Sequence, residues 1–180
     1  MTRSPGHSVL AVRVDRLDGY VRARTAHYDA SFVSADPAFG HAHITLLAPW
    51  LADPTPSDLD VVARIAAQTP GFDTVLGRIE TFPDGLIHLR CDPDLPLRTL
   101  TRSLAAAFPR CPPYGGRFGE VVPHVTLDRV ADGITQETVA AELAATLPVV
   151  LRVDRIDLQW WENDNCHVRE SWKLGADDRR

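Results

Sequence analysis

The chain has 180 residues, 44% of them hydrophobic and 24% charged, with a formal net charge of −5. That length suits one domain with a substantial interior. The acidic balance excludes a broad basic surface that grips long nucleic acid through many phosphates, while leaving room for a small arginine-lined pocket for one or two.

Residues 8–14, "SVLAVRV", read as a strand, with Val9, Ala11 and Arg13 on one face and Leu10, Val12 and Val14 on the other. Residues 17–29 read as a helix with a thin apolar face of Leu17, Tyr20 and Val21. "HITLLA" is a short apolar strand that Pro49 ends. A helix follows, with Ser57 as its N-cap, Asp60 three residues on, and Leu59, Val62, Ala63 and Ala66 at helical spacing up to Pro70-Gly71. "FDTVLGRIETF" and "GLIHLRC" form a hairpin about Pro83-Asp84-Gly85. Residues 96–109 are a helix opened by Pro96 and closed at Pro109, and 110–123 are a loop rich in Pro and Gly. "HVTLDRV" is a strand, and 135–148 a helix with a capping pair of Thr135 and Thr138. "VVLRVDRIDLQWWE" and "CHVRESWKL" close the chain as a strand pair.

The two halves match. His43-Ile-Thr-Leu and His124-Val-Thr-Leu each precede a loop, a helix and a strand pair, and "LGRIETF" (76–82) resembles "VDRIDLQ" (153–159). This is a two-copy duplication, and it predicts pseudo-symmetric lobes with no linker between them.

On a strand, His43 shares a face with Thr45 and His124 with Thr126, while Ile44, Leu46, Val125 and Leu127 point the other way. Lobes packed about a pseudo-twofold axis would bring two imidazoles and two hydroxyls into one cleft. One imidazole can take a proton while the other gives one. Hydroxyls between them can hold the non-bridging oxygens of a phosphodiester. Acid and base on opposite sides of phosphorus are what in-line opening of such an ester needs, and no metal or cofactor enters that logic.

The pair "HITLLAPW" and "PHVTLDRV", with the stretch "PPYGGRFGEVVPHVTL", resembles the 2H phosphoesterase superfamily, the group that includes bacterial 2′-5′ RNA ligase-like proteins and RNA 2′,3′-cyclic phosphodiesterases. The resemblance runs over nearly the whole chain and is specific for the superfamily, not for a substrate. It implies one bilobal domain over 1–180, of α+β class, each lobe an antiparallel sheet with outer helices and the H-x-T motifs in a central cleft. It implies His43 and His124 as the catalytic pair and Thr45 and Thr126 as phosphate-holding hydroxyls. Arg129, at the position of a basic residue that often follows the second motif, becomes a phosphate contact. Relatives often carry an aromatic residue before the proline of the first motif, where this chain has Ala48. The resemblance implies a base-stacking wall of the cleft there, and Trp50 is a candidate to supply it.

Tyr114, Arg117 and His41 are further candidates for contact with substrate, His41 at the rim of the cleft. His41-x-His43 alone would also suit two metal ligands, but no third and fourth ligand are spaced to join them. Gly115-Gly116 belongs to neither the Walker nor the dinucleotide pattern. His88 faces the cleft or solvent, His7, His27 and His167 read as structural or exposed, and one of Trp160 and Trp161 is an outward stacking platform.

Three widely spaced cysteines, Cys91, Cys111 and Cys166, with no C-x-x-C, read as reduced thiols. The N-terminus lacks a signal-peptide core, and no apolar run nears the roughly 20 residues of a membrane span. The expectation is a cytoplasmic, monomeric enzyme with no obligate protein partner. Its substrate would be an RNA terminus or small nucleotide, opened from a 2′,3′-cyclic phosphate to a 2′-phosphate. A 2′-5′ oligonucleotide phosphodiesterase or ligase, and a phosphate-binding module without turnover, are the alternatives.

Overall fold

The computed structural model describes residues 5–175. Among them the elements run β1 (His7–Arg13), α1 (Asp15–Asp29), β2 (His43–Leu47), α2 (Pro56–Gln68), β3 (Phe72–Thr81), β4 (Leu86–Asp92), α3 (Leu95–Ala107), β5 (His124–Arg129), α4 (Gln136–Leu143), β6 (Val149–Val153), β7 (Arg155–Trp161) and β8 (His167–Lys173). The strands pair antiparallel in the order β6-β3-β4-β5-β2-β1-β7-β8. The fold is α+β, with the two expected antiparallel halves, each of four strands. They are joined edge to edge at the centre, where Ile44 of β2 lies opposite Val125 of β5. The motifs therefore meet over a seam in one continuous sheet.

The halves exchange strands. β3, which follows α2, pairs with β4 and β6, whereas β7, which comes after α4 and β6, returns to pair with β1. The repeat is thus β-α-β-α-β, with β6 inserted before the last strand of the second copy, and begins at β1 and at β4, one strand before the repeated phrase. It places the related stretches 76–82 and 153–159 largely on the equivalent strands β3 and β7. The single strand expected over 149–162 is two strands in opposite halves, broken at Asp154, whose carbonyl accepts the N–H of Leu174 at 2.7 Å. The apolar alternation changes phase at the break, from Val149, Leu151 and Val153 to Ile156 and Leu158.

One sheet face is apolar by alternation. Val12, Ile44, Val125 and Leu89 are successive neighbours across the four central strands, and all are buried. Against this row pack Val62 and Ala66 of α2, Leu97, Leu100 and Leu104 of α3, and Val139 and Leu143 of α4. Each such side chain contributes roughly 1.5–3 kcal/mol by leaving water. This core holds the seam shut from behind. α1 buries only Leu17 fully, as its thin apolar face predicts, and contacts β5.

α2 is capped by Thr55 rather than Ser57. The Thr55 side chain accepts from the N–H of Asp58 at 3.3 Å, and the Asp58 carboxylate accepts from the N–H of Thr55 at 2.8 Å. Pro56 then fills the first helical position, where a missing N–H costs nothing. Thr135 and Thr138 form the expected capping pair of α4. That helix stops at Leu143 rather than reaching 148, and the chain leaves it through a turn in which the N–H groups of Thr146 and Leu147 both donate to the Leu143 carbonyl.

Candidate active site

β2 and β5 are the central strands, so the two H-x-T stretches lie side by side. With Ile44 opposite Val125, antiparallel pairing sets His43 across from Thr126 and Thr45 across from His124. All four residues line one cavity of about 380 Å³, together with His41, Trp161, Asp128, Arg129 and the α1 residues Arg24, Thr25 and Tyr28. Thr45, His124, Thr126 and Arg129 also line a second chamber of about 520 Å³ on the side of the 110–123 loop, walled by Phe82, Tyr114, Phe118, Val121 and Val122. The phosphate-sized cluster of polar groups is thus the waist between two chambers.

The two imidazoles are held alike. His43 Nδ1 is 2.9 Å from the carbonyl oxygen of His41, and His124 Nδ1 is 2.7 Å from that of Val122. A carbonyl only accepts, so each Nδ1 carries the hydrogen and donates, leaving Nε2 as the working nitrogen. Burial pushes the pKa of His43 down from 6.5 to about 4, against the favourable pull of the His41 carbonyl and with added repulsion from His124. Burial also lowers that of His124, with repulsion from His88 adding and the Val122 carbonyl and Asp84 opposing. At neutral pH both rings are neutral, and an anionic phosphodiester between them is what would favour a proton on one.

Each ring sits against an aromatic cluster. On the β5 side, Phe82 stacks on His88 with centroids 3.7 Å apart and planes at 10°, and His124 meets both at 5.0 and 5.2 Å. On the β2 side, Trp161 lies 5.5 Å from His43 and packs on Phe39 at 4.7 Å. These contacts limit the swing of the imidazoles. His88 lies on the cleft face of the sheet, opposite Thr126, but is 1% exposed beneath Phe82 and lines neither chamber.

Arg129 reaches the waist, where its guanidinium donates to the carbonyl of Asp84 at 2.6 Å and faces the Asp84 carboxylate at 3.6 Å. Tyr114 lines the loop-side chamber together with Thr45. It holds a left-handed backbone conformation at φ 51°, and its N–H donates to the Ala48 carbonyl at 2.7 Å, tying the loop to the end of β2. Two candidates lie elsewhere, and a third lines the helix-side cavity only as a buried ring. Trp50 is no cleft wall: past Pro49 the chain turns to the apolar side, and the indole is 4% exposed and edge-on to Phe108 at 5.2 Å. Arg117 is exposed on its loop and lines neither chamber. His41 is buried rather than at the rim, with Nε2 accepting the N–H of Ser34 at 3.1 Å and the ring edge-on to Phe39 at 5.1 Å.

The sequence reading misses the wall built by α1. Tyr28 donates its hydroxyl to the buried carboxylate of Asp128, and Arg24 pairs with the same carboxylate. The signal was Arg24 and Tyr28 four residues apart on a helix with little apolar surface. Among the described residues, no group of three or more His, Cys, Asp and Glu side chains is arranged to hold a metal ion. No helix among them is long and apolar enough to cross a membrane.

A model of the 2′-5′ RNA ligase superfamily matches residues 8–165. Among solved structures, the chain resembles TT0787 of Thermus thermophilus, with 20% identity and a TM-score of 0.58 over 94% of this chain and 98% of that one. It also resembles E. coli LigT complexed with 3′-AMP, with 18% identity and a TM-score of 0.55 over 95% and 99% of the two chains. LigT complexed with NADP+ gives 19% identity and 0.55 over 96% and 99%. A search of curated protein sequences found no match. At these identities the likeness to solved structures speaks for the fold.

Proposed function

The chain belongs to the 2′-5′ RNA ligase superfamily of 2H phosphoesterases, and from that premise we propose that it hydrolyses 2′,3′-cyclic phosphates on RNA ends or small nucleotides to 2′-phosphates. The observation that carries the reading is the waist of the cleft, where two Nε2 atoms and two threonine hydroxyls line one cavity. One imidazole takes a proton from water as the water oxygen bonds to phosphorus. The P–O3′ bond breaks, and the other imidazole protonates the departing O3′. Thr45 and Thr126 donate to the non-bridging oxygens, whose charge grows in the transition state. Arg129 faces the same anion. The deeper depression of His43 favours it as base, with His124 as acid. Neither role requires a metal or cofactor.

The nucleotides in the LigT structures, 3′-AMP, NADP+ and ATP, agree with a nucleotide ligand here. We expect the protein to act in the cytoplasm as a monomer, since each chain carries its own pair of motifs. A second reading is favoured by the chambers on both sides of the waist. A 2′-5′ phosphodiester carries a nucleoside on each side of phosphorus, and cleavage and ligation share one transition state. Turnover of a cyclic-ended RNA and a 2′-5′-linked dinucleotide, side by side, separates the readings. Faster turnover of the cyclic end supports the first, faster cleavage of the dinucleotide the second, and binding of both without product would make the protein a binding module.

A further inference from the structure

We propose that His88 is a positioning residue for His124, and that the two rings compete for one proton, so that only one of them is charged at a time. This rests on the two-histidine reading of the waist and adds what governs the proton of the candidate acid. Across the cleft face of the sheet, Glu80 of β3 lies opposite His88 of β4, and His88 lies opposite Thr126 of β5. The polar row of the waist therefore continues outward through a histidine that lines neither chamber. Phe82 lies flat on the His88 ring, and His124 stands nearly perpendicular to both, about equally far from each. That stack fixes the two imidazoles relative to one another, with their centroids 5.2 Å apart.

The His88 ring carries a polar atom without a hydrogen-bond partner. Its Nδ1 faces the Leu86 carbonyl at 3.4 Å, so the hydrogen of the neutral ring belongs there. Nε2 is then a bare acceptor, buried and with no donor to meet it. The Glu80 carboxylate stands 4.0 Å from it. Two acceptors facing each other gain nothing, whereas a proton on Nε2 would satisfy both. The other charges around the ring offset one another. Glu80 meets Arg78 and Arg90, Arg90 also meets Asp94, Asp84 of the turn meets Arg129, and Asp128 of β5 is held by Arg24. The charge left to be felt at His88 is a proton on His124. Two imidazolium ions this close and away from water repel, so their titrations are coupled. Burial holds both rings neutral at neutral pH, and the competition opens as the solution is acidified. A proton on His88, paired with Glu80, then opposes the one that His124 needs as an acid.

The test is a titration of the full chain, isotope-labelled in its histidines and followed by NMR of the imidazoles from about pH 8 to about pH 4. Circular dichroism at each step establishes that the protein is folded. In wild type, His88 and His124 are expected to take up protons over the same pH interval, each curve broader than that of a single site. His88→Phe keeps a flat ring on Phe82 and removes the competing site, so His124 should titrate as a single site with its midpoint about one pH unit higher. Glu80→Gln leaves both rings in place and removes the partner of a charged His88, so the His124 midpoint should rise by about half a pH unit. If His88→Phe does not fold, this second variant carries the test. A role in packing alone predicts a His124 midpoint that stays within about 0.2 pH unit of wild type, and that result in either folded variant overturns the proposal. A His88 ring that takes up no proton by about pH 4 also overturns it. No substrate enters the titration, so its outcome is read whether or not the cyclic phosphodiesterase reading, which turnover tests, holds.

Discussion

The depressed pKa of His43 has a consequence for stability that can be worked through in sign and size. In the folded protein the ring resists a proton until about pH 4, whereas in the unfolded chain it accepts one near 6.5. As pH falls through 6.5 the unfolded state gains a proton that the folded state does not. Stability present above 6.5 is therefore lost progressively down to about 4. A gap of that width corresponds to about 3 kcal/mol, and water in the open cleft reduces it, so a loss of about 2 kcal/mol between pH 7.5 and 4.5 is expected. The control is His43→Asn, which keeps a polar side chain and removes the titration. Urea unfolding of both proteins at the two pH values gives four free energies. The advantage of wild type over the variant should shrink by about 2 kcal/mol on going to pH 4.5. Subtracting the variant cancels the carboxylates and the other buried histidines to first order. A difference that stays within about 0.5 kcal/mol across that range would refute the claim that burial holds this imidazole neutral.

Thr126→Val removes the hydroxyl without changing side-chain volume appreciably, so kcat should fall by about 10²–10³ while the melting temperature moves little; an unchanged kcat would remove Thr126 from the phosphate grip. The pH profile of kcat/KM reports the free enzyme, whose two imidazoles are both depressed. Its maximum should lie below pH 6.5, and a maximum near 8 would contradict that electrostatic picture. Asp128→Asn leaves Arg24 without its buried carboxylate, so a loss on the order of 3 kcal/mol is expected in chemical denaturation; a loss under about 1 kcal/mol would mean that the α1 wall does not depend on this pair.

The centre of the molecule was legible because strand alternation is local. His43, Thr45, His124 and Thr126 share a face as a matter of backbone geometry, and the apolar residues between them settle which face is core. The duplication then placed both motifs at one seam. What was not legible depends on distant partners. The break at Asp154 separates strands that join opposite halves, and nothing in the local alternation records which neighbour a strand will take. Trp50 lies just after a proline, where local pattern does not set the direction of the ring, and it is the core beside Phe108 that claims it. His41 reads as one of a histidine pair, yet only His43 lies within β2, and the other ring is held inward by Ser34 and Phe39. Arg24 and Tyr28 belong to the cleft through a single carboxylate on β5, about a hundred residues away in sequence.

The most direct test of the account is the fate of a short RNA ending in a 2′,3′-cyclic phosphate, incubated with the protein in EDTA and followed by phosphorus NMR. His43→Ala and His124→Ala run in parallel, and folding is checked by circular dichroism. The account predicts a 2′-phosphomonoester from wild type and at least a thousandfold loss of rate in each variant, since a missing acid and a missing base are each costly. Wild-type turnover that persists in either folded variant would contradict two-histidine catalysis. No turnover by wild type at all would contradict the cyclic phosphodiesterase reading.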